Sequence, residues 1–93
     1  MKHKFLIHYK GDHVGVATNE IKKGEEVKGV YMDDDTSIVI HAKHDIPLGH
    51  KIALVDLKEG EFVIEYKTQI GLTTKVWHAG DYVHTHNIKT ARW

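Results

Sequence analysis

Asp45-Ile46-Pro47-Leu48-Gly49-His50-Lys51-Ile52 is the stretch whose reading decides the fold, because it returns three more times. The other copies are Glu20-Ile21-Lys22-Lys23-Gly24-Glu25-Glu26-Val27, Asp56-Leu57-Lys58-Glu59-Gly60-Glu61-Phe62-Val63 and, more loosely, Val76-Trp77-His78-Ala79-Gly80-Asp81-Tyr82-Val83. Each has an apolar residue, two usually polar ones, a glycine, a polar residue and an apolar residue two further on. A glycine there supplies a positive φ, and Pro47 pre-sets φ for its corner. The flanking apolar residues re-enter the core where strands start. Gly24, Gly49, Gly60 and Gly80 are unevenly spaced, which excludes a solenoid or propeller period. This is one corner device used four times.

Between corners the chain reads as strands: Lys4–Tyr9, His13–Thr18, Glu26–Met32, Thr36–His41, Lys51–Leu54, Glu61–Tyr66, Gln69–Thr74 and Asp81–His86. They are β-branched or aromatic runs separated by turn residues. No segment keeps a 3.6-residue period; Ile52 to Leu57 offers one helical turn at most. The expected fold is all-β, a small β-clip domain of short strands and glycine corners, with one domain over residues 1–93. Asp33-Asp34-Asp35 lacks the alternate spacing of a calcium loop and reads as a solvated hairpin tip.

The chain has 93 residues, 41% of them apolar, which suits one modest core and is too few for a self-enclosed deep cleft. Lys plus Arg and Asp plus Glu number 13 each, so no basic footprint for nucleic acid or anionic membrane is present. No cysteine is present, excluding disulfides and thiolate chemistry. The first residues carry no secretory apolar run, and cytoplasm is the expected location.

Nine histidines are the unusual feature. His84 and His86 flank Thr85 on an expected strand, where i and i+2 share a face about 6.6 Å apart. That spacing lets two imidazoles approach one metal or substrate beside Asn87. His50 and Lys51, after a corner glycine, form a cation pair suited to a carboxylate or sulfonate. His8, with Asp12 and His13 in the next turn, adds a third contribution. His3, His41, His44 and His78 have no spacing argument and read as surface residues. Trp77 fills an apolar corner slot and reads as core. Trp93 is expected to dock on a partner or symmetry mate.

The run His44-Asp45-Ile46-Pro47-Leu48-Gly49-His50-Lys51-Ile52-Ala53-Leu54, then Asp56 to Glu61, and the ending His84-Thr85-His86-Asn87 resemble the SAF domain of the altronate/galactarate dehydratase family. So does the opening His8 to Ala17. The resemblance runs from about Phe5 to Trp93 and implies a β-clip fold. It implies a small subunit beside a large catalytic subunit, in an enzyme that removes water from a sugar acid or related 2-hydroxy acid. A divalent metal, iron(II) or manganese, is implied in the assembled enzyme. A similar free-standing small subunit occurs in the sulfolactate sulfo-lyase, which expels sulfite. On this resemblance His8, Asp12, His13, His50, Lys51 and Asn87 are candidate substrate-binding residues, and His84 and His86 candidate metal ligands. No nucleophile or complete acid–base pair is assigned, so no catalytic residue is named and the chain alone is expected to be inactive. A homo-oligomer is compatible. The rival from another class is a non-catalytic SAF carbohydrate-binding module. Two departures stand out: Asp12-His13-Val14-Gly15 where the family pattern has Asp-Asn-Val-Ala, and Tyr66-Lys67 where a Tyr-Gly pair is usual. The second implies a different turn.

Overall fold

All four corner glycines take left-handed backbone: Gly24 at φ 85°, Gly49 at 84°, Gly60 at 83° and Gly80 at 97°. A side chain disfavours that region, so the glycine marks where the chain can reverse. The turn closes by Glu25 N–H to Lys22 O, His50 N–H to Pro47 O, and Asp81 N–H to His78 O. At the third corner the Thr73 hydroxyl bridges instead, accepting from Glu61 N–H and donating to Lys58 O. Pro47 therefore stands at the first turn position and supplies the accepting carbonyl.

Each corner then clasps a strand in one way. Gly24 N–H donates to Ala42 O, and Ala42 N–H returns to Glu25 O. Gly49 and His50 clasp Ala17, Gly60 and Glu61 clasp Thr73, and Gly80 and Asp81 clasp Ala53. The corners also pair among themselves through bridges between Ile21 and Ile46 and between Leu57 and Trp77. Asp45 and Asp56, at equivalent repeat positions, accept from Lys23 N–H and Ala79 N–H of the paired corners.

This computed structural model describes residues 2–90, and Trp93 lies outside them. The elements are β1 (His3–Ile7), β2 (Val14–Ala17), β3 (Glu26–Tyr31), β4 (Ser37–His41), β5 (Lys51–Ala53), β6 (Phe62–Glu65), β7 (Thr68–Thr73), β8 (Tyr82–Val83) and β9 (Ile88–Thr90). Among the described residues there is no helix, as expected. A six-stranded sheet runs β4-β3-β1-β2-β5-β8 and a three-stranded sheet runs β6-β7-β9. Strands β1 and β3 pair in parallel; the other pairs are antiparallel.

Alternation along the central strands feeds two cores. Phe5, Ile7, Ile21, Ile46 and Ile52 pack in one; Val14, Ala53, Val63, Trp77 and Val83 pack in the other. Neighbours Ile52 and Ala53 go to opposite sides, so β5 is buried on both faces. Trp77 is fully buried, as its corner slot implied. Asp33, Asp34 and Asp35 are exposed at the β3–β4 tip.

One expectation needs correcting. The strand expected over Asp81–His86 stops at Val83, His84 to Asn87 forms a turn, and a ninth strand follows. The buried Asn87 side chain causes this: its Oδ1 accepts from His84 N–H and its Nδ2 donates to Tyr82 O. Those groups would otherwise extend the ladder. At the Tyr66-Lys67 turn a lysine stands where the family pattern has a glycine. Tyr66 and Lys67 both take left-handed φ, 56° and 59°, the hairpin conformation that glycine favours.

Candidate active-site face

At the exit of the second corner the chain places His50 on the same face of β5 as Ile52. Across the ladder, Tyr82 of β8 pairs with Ile52, so its ring comes up beside His50. The Tyr82 hydroxyl oxygen lies 2.6 Å from His50 Nδ1. His84 stacks near both rings, with centroids 5.6 Å from His50 and 5.4 Å from Tyr82. His86 sits 5.9 Å from Tyr82, tilted by 50°. Three imidazoles and one phenol thus form a half-exposed cluster, and Tyr82 touches the other three.

The turn that carries His84 and His86 is pinned from inside. Besides the two Asn87 side-chain bonds, Asn87 O accepts from Trp77 Nε1–H at 2.9 Å. Asn87 is a buried brace for this turn. His84 and His86 come together on a turn, without the strand geometry expected of them.

Lys51 points the other way. Neighbours on a strand face opposite sides, so His50 and Lys51 do not act as one cation pair. Lys51 Nζ lies 3.5 Å from Glu65 Oε1, and His8 Nε2 lies 3.9 Å from Glu65 Oε2. The Glu65 side chain is only 5% exposed, and His8 stacks on Tyr66 with centroids 3.8 Å apart. A groove of about 340 Å³ opens here, lined by Lys51, Glu65, Val83, His84, Thr85 and Ile88 among others. One buried carboxylate therefore holds two basic side chains beside a groove that reaches the histidine turn.

Asp12 and His13 bond backbone groups of the fold. Buried Asp12 accepts through Oδ2 from Tyr9 N–H and Tyr66 N–H, both at 3.2 Å, and through Oδ1 from Lys67 N–H at 3.4 Å. His13 Nδ1 accepts from Ile64 N–H and His13 N–H donates to Ile64 O, joining the end of β2 to β6. A depression of about 420 Å³ lies by His13, Leu57, Gly60, Glu61 and Phe62. His3, His41, His44 and His78 are exposed.

Sequence reasoning missed Glu65 and Tyr82. Glu65 had a signal: it shares the alternation of buried Val63, and a carboxylate on a buried face needs a partner. Tyr82 had none beyond its corner position. Among the described residues, no three His, Asp or Glu side chains converge as a metal site. His84 and His86 alone do not complete a ligand set.

Residues 3–91 match the family described as the altronate/galactarate dehydratase SAF domain. The chain belongs to that family. Its all-β fold of glycine corners is thus a SAF domain. This SAF chain is 41% identical over 90 residues to the (2R)-sulfolactate sulfo-lyase subunit alpha of Chromohalobacter salexigens, covering 96% of each. It is 47% identical over 64 residues to the subunit of that name from Paracoccus pantotrophus, covering 69% of this chain and 96% of that one. Against the altronate dehydratase of Bacillus subtilis it is 37% identical over 86 residues, 92% of this SAF chain but 16% of the enzyme. In such relatives the SAF part is either a designated subunit or a small share of a long chain. No helix among the described residues is long and apolar enough to cross a membrane.

Proposed function

We propose that this SAF chain is the small subunit of a lyase that, with a larger catalytic subunit, eliminates sulfite or water from a 2-hydroxy acid. The observation that carries it is the 41% identity covering 96% of both this chain and a sulfolactate sulfo-lyase subunit alpha. Sulfolactate is accordingly the first substrate to test. Sugar-acid dehydration is the second reading, supported by identity to the altronate dehydratases.

Elimination next to a carboxylate needs a base for the α-proton, stabilisation of the carboxylate, and help at the leaving group. His50, His84 and His86 offer imidazole N–H donors on one face, and Lys51 offers a positive charge in the adjoining groove. Such groups orient an anionic hydroxy acid, and closure of the two subunits over it excludes water. The base is assigned to the larger subunit. A divalent metal, iron(II) or manganese, would act as a Lewis acid at the leaving group. Among the described residues no complete site forms, and no step is assigned to a metal on this chain.

Co-purification from the native cell, followed by assays of sulfite release from (2R)-sulfolactate and water loss from altronate and galactarate, tests the reading. Activity that requires both chains supports it, and the product distinguishes sulfite from water elimination. A chain that recovers no partner and binds free sugar acids on its own would replace it with the carbohydrate-binding module.

A further inference from the structure

Tyr82 touches every ring of the histidine cluster, yet its own place in the fold is fixed independently of them. Its carbonyl accepts from Asn87 Nδ2, its backbone pairs with Ile52 in the ladder, and its ring packs against the larger core. His50 is equally fixed at the backbone, where its N–H donates to Pro47 O and its carbonyl accepts from Ala17 N–H. Two rigid elements therefore hold the 2.6 Å contact between Tyr82 Oη and His50 Nδ1.

The direction of that bond follows from acidity and basicity. A phenol, with an ordinary pKa of about 10, is a far better donor than a neutral imidazole N–H. The bare imidazole nitrogen is likewise a far better acceptor than a phenolic oxygen. The hydroxyl thus donates to Nδ1, and the imidazole proton resides on Nε2. Rotation of the ring by half a turn would put a carbon where Nδ1 now accepts, so the bond also sets which way Nε2 points.

We propose that Tyr82 is the positioning residue of this site, fixing His50 as its Nε2–H tautomer and aiming that N–H at the carboxylate or sulfonate of the substrate. The identity of the anion rests on the lyase reading; the tautomer does not. His50 then serves as a neutral, directional donor, as His84 stacks beside it without competing for Nδ1. His84 Nδ1 itself lies 3.3 Å from the Thr85 hydroxyl.

The test begins with long-range ¹H–¹⁵N spectra of the histidine side chains in the chain by itself at pH 8. The wild type should show His50 with an unprotonated, hydrogen-bonded Nδ1 and a protonated Nε2. Tyr82→Phe keeps the ring and its packing, and should move the His50 Nδ1 resonance toward that of an unbonded, tautomer-averaged imidazole. 3-Fluorotyrosine at position 82, a stronger donor of nearly the same shape, should move it the opposite way. The fluorinated chain also keeps the test alive should Tyr82→Phe fail to fold. In the complex with the larger subunit, Tyr82→Phe and His50→Gln should each raise KM for (2R)-sulfolactate about tenfold or more, as expected for losing a hydrogen bond to a charged group. The double variant should lose little further. A His50 spectrum indifferent to both changes at Tyr82 would overturn the proposal, and so would a tautomer lost without any rise in KM. If the complex turns over a different substrate class while the spectra behave as expected, the lyase reading fails and the tautomer assignment stands.

Discussion

Asp12→Ala separates a structural carboxylate from a substrate-binding one. Its carboxylate accepts three backbone N–H groups, from Tyr9, Tyr66 and Lys67, at 3.2, 3.2 and 3.4 Å. Hydrogen bonds to a charged group contribute about 1.5–3 kcal/mol each at good geometry. These are long, and Tyr66 and Lys67 are exposed enough for water to replace part of the loss. A total of about 3 kcal/mol is therefore expected, well below the simple sum. The variant also releases the pin on two residues held at left-handed φ, and their relaxation offsets part of the loss. Asp12→Asn keeps one carbonyl acceptor and should lose about half as much. Urea unfolding followed by circular dichroism measures the difference. For a domain of this size, 3 kcal/mol lowers Tm by roughly 12–24 °C. A loss under about 1 kcal/mol, together with an assembled enzyme that no longer binds substrate, would refute the structural assignment and return Asp12 to the substrate.

Gly49→Ala and Gly80→Ala should differ although both occupy the same repeat position. An added Cβ at Gly49 meets open space and costs only the left-handed backbone, about 1 kcal/mol, whereas at Gly80 it would lie 2.0 Å from His41 O, and a loss of about 3 kcal/mol or more is expected in the same unfolding assay. Equal losses would contradict the packing. The Asp34 carboxyl should titrate at about 2, below its ordinary 3.8, because of hydrogen bonds from Lys10, then from the Thr36 side chain and backbone. Its depressed pKa means the tip's ion pair favours the folded state above the ordinary value and is lost as pH falls through about 2; ¹³C titration should show Lys10→Ala moving the midpoint upward. Replacing His84 and His86 together with alanine should change stability by less than about 0.5 kcal/mol, since both are exposed, while reducing turnover of the assembled enzyme about a hundredfold. A double variant with wild-type turnover would make them surface decoration.

Local chemistry was readable from residue order alone. Gly24, Gly49, Gly60 and Gly80 reverse the chain because positive φ is a property of one residue and its neighbours, and eight strand segments follow from the same local rules. The residues singled out for chemistry fall into two groups in the folded chain. His50, His84 and His86 do meet, and His8 meets Lys51, but through Glu65; Asp12 and His13 bond backbone groups of a distant segment, and Asn87 bonds those of its own turn. Whether a polar side chain faces a ligand or an orphaned N–H depends on which strand crosses it, and Asp12 takes two of its three partners from residues more than fifty positions away. The same holds for the corners. All four look alike in sequence, yet only the packing of β4 against the fourth makes Gly80 indispensable for space as well as for φ. Turns are set by short-range sterics, which the order of residues carries; the direction of each functional side chain is set by long-range pairing, which only the folded chain decides.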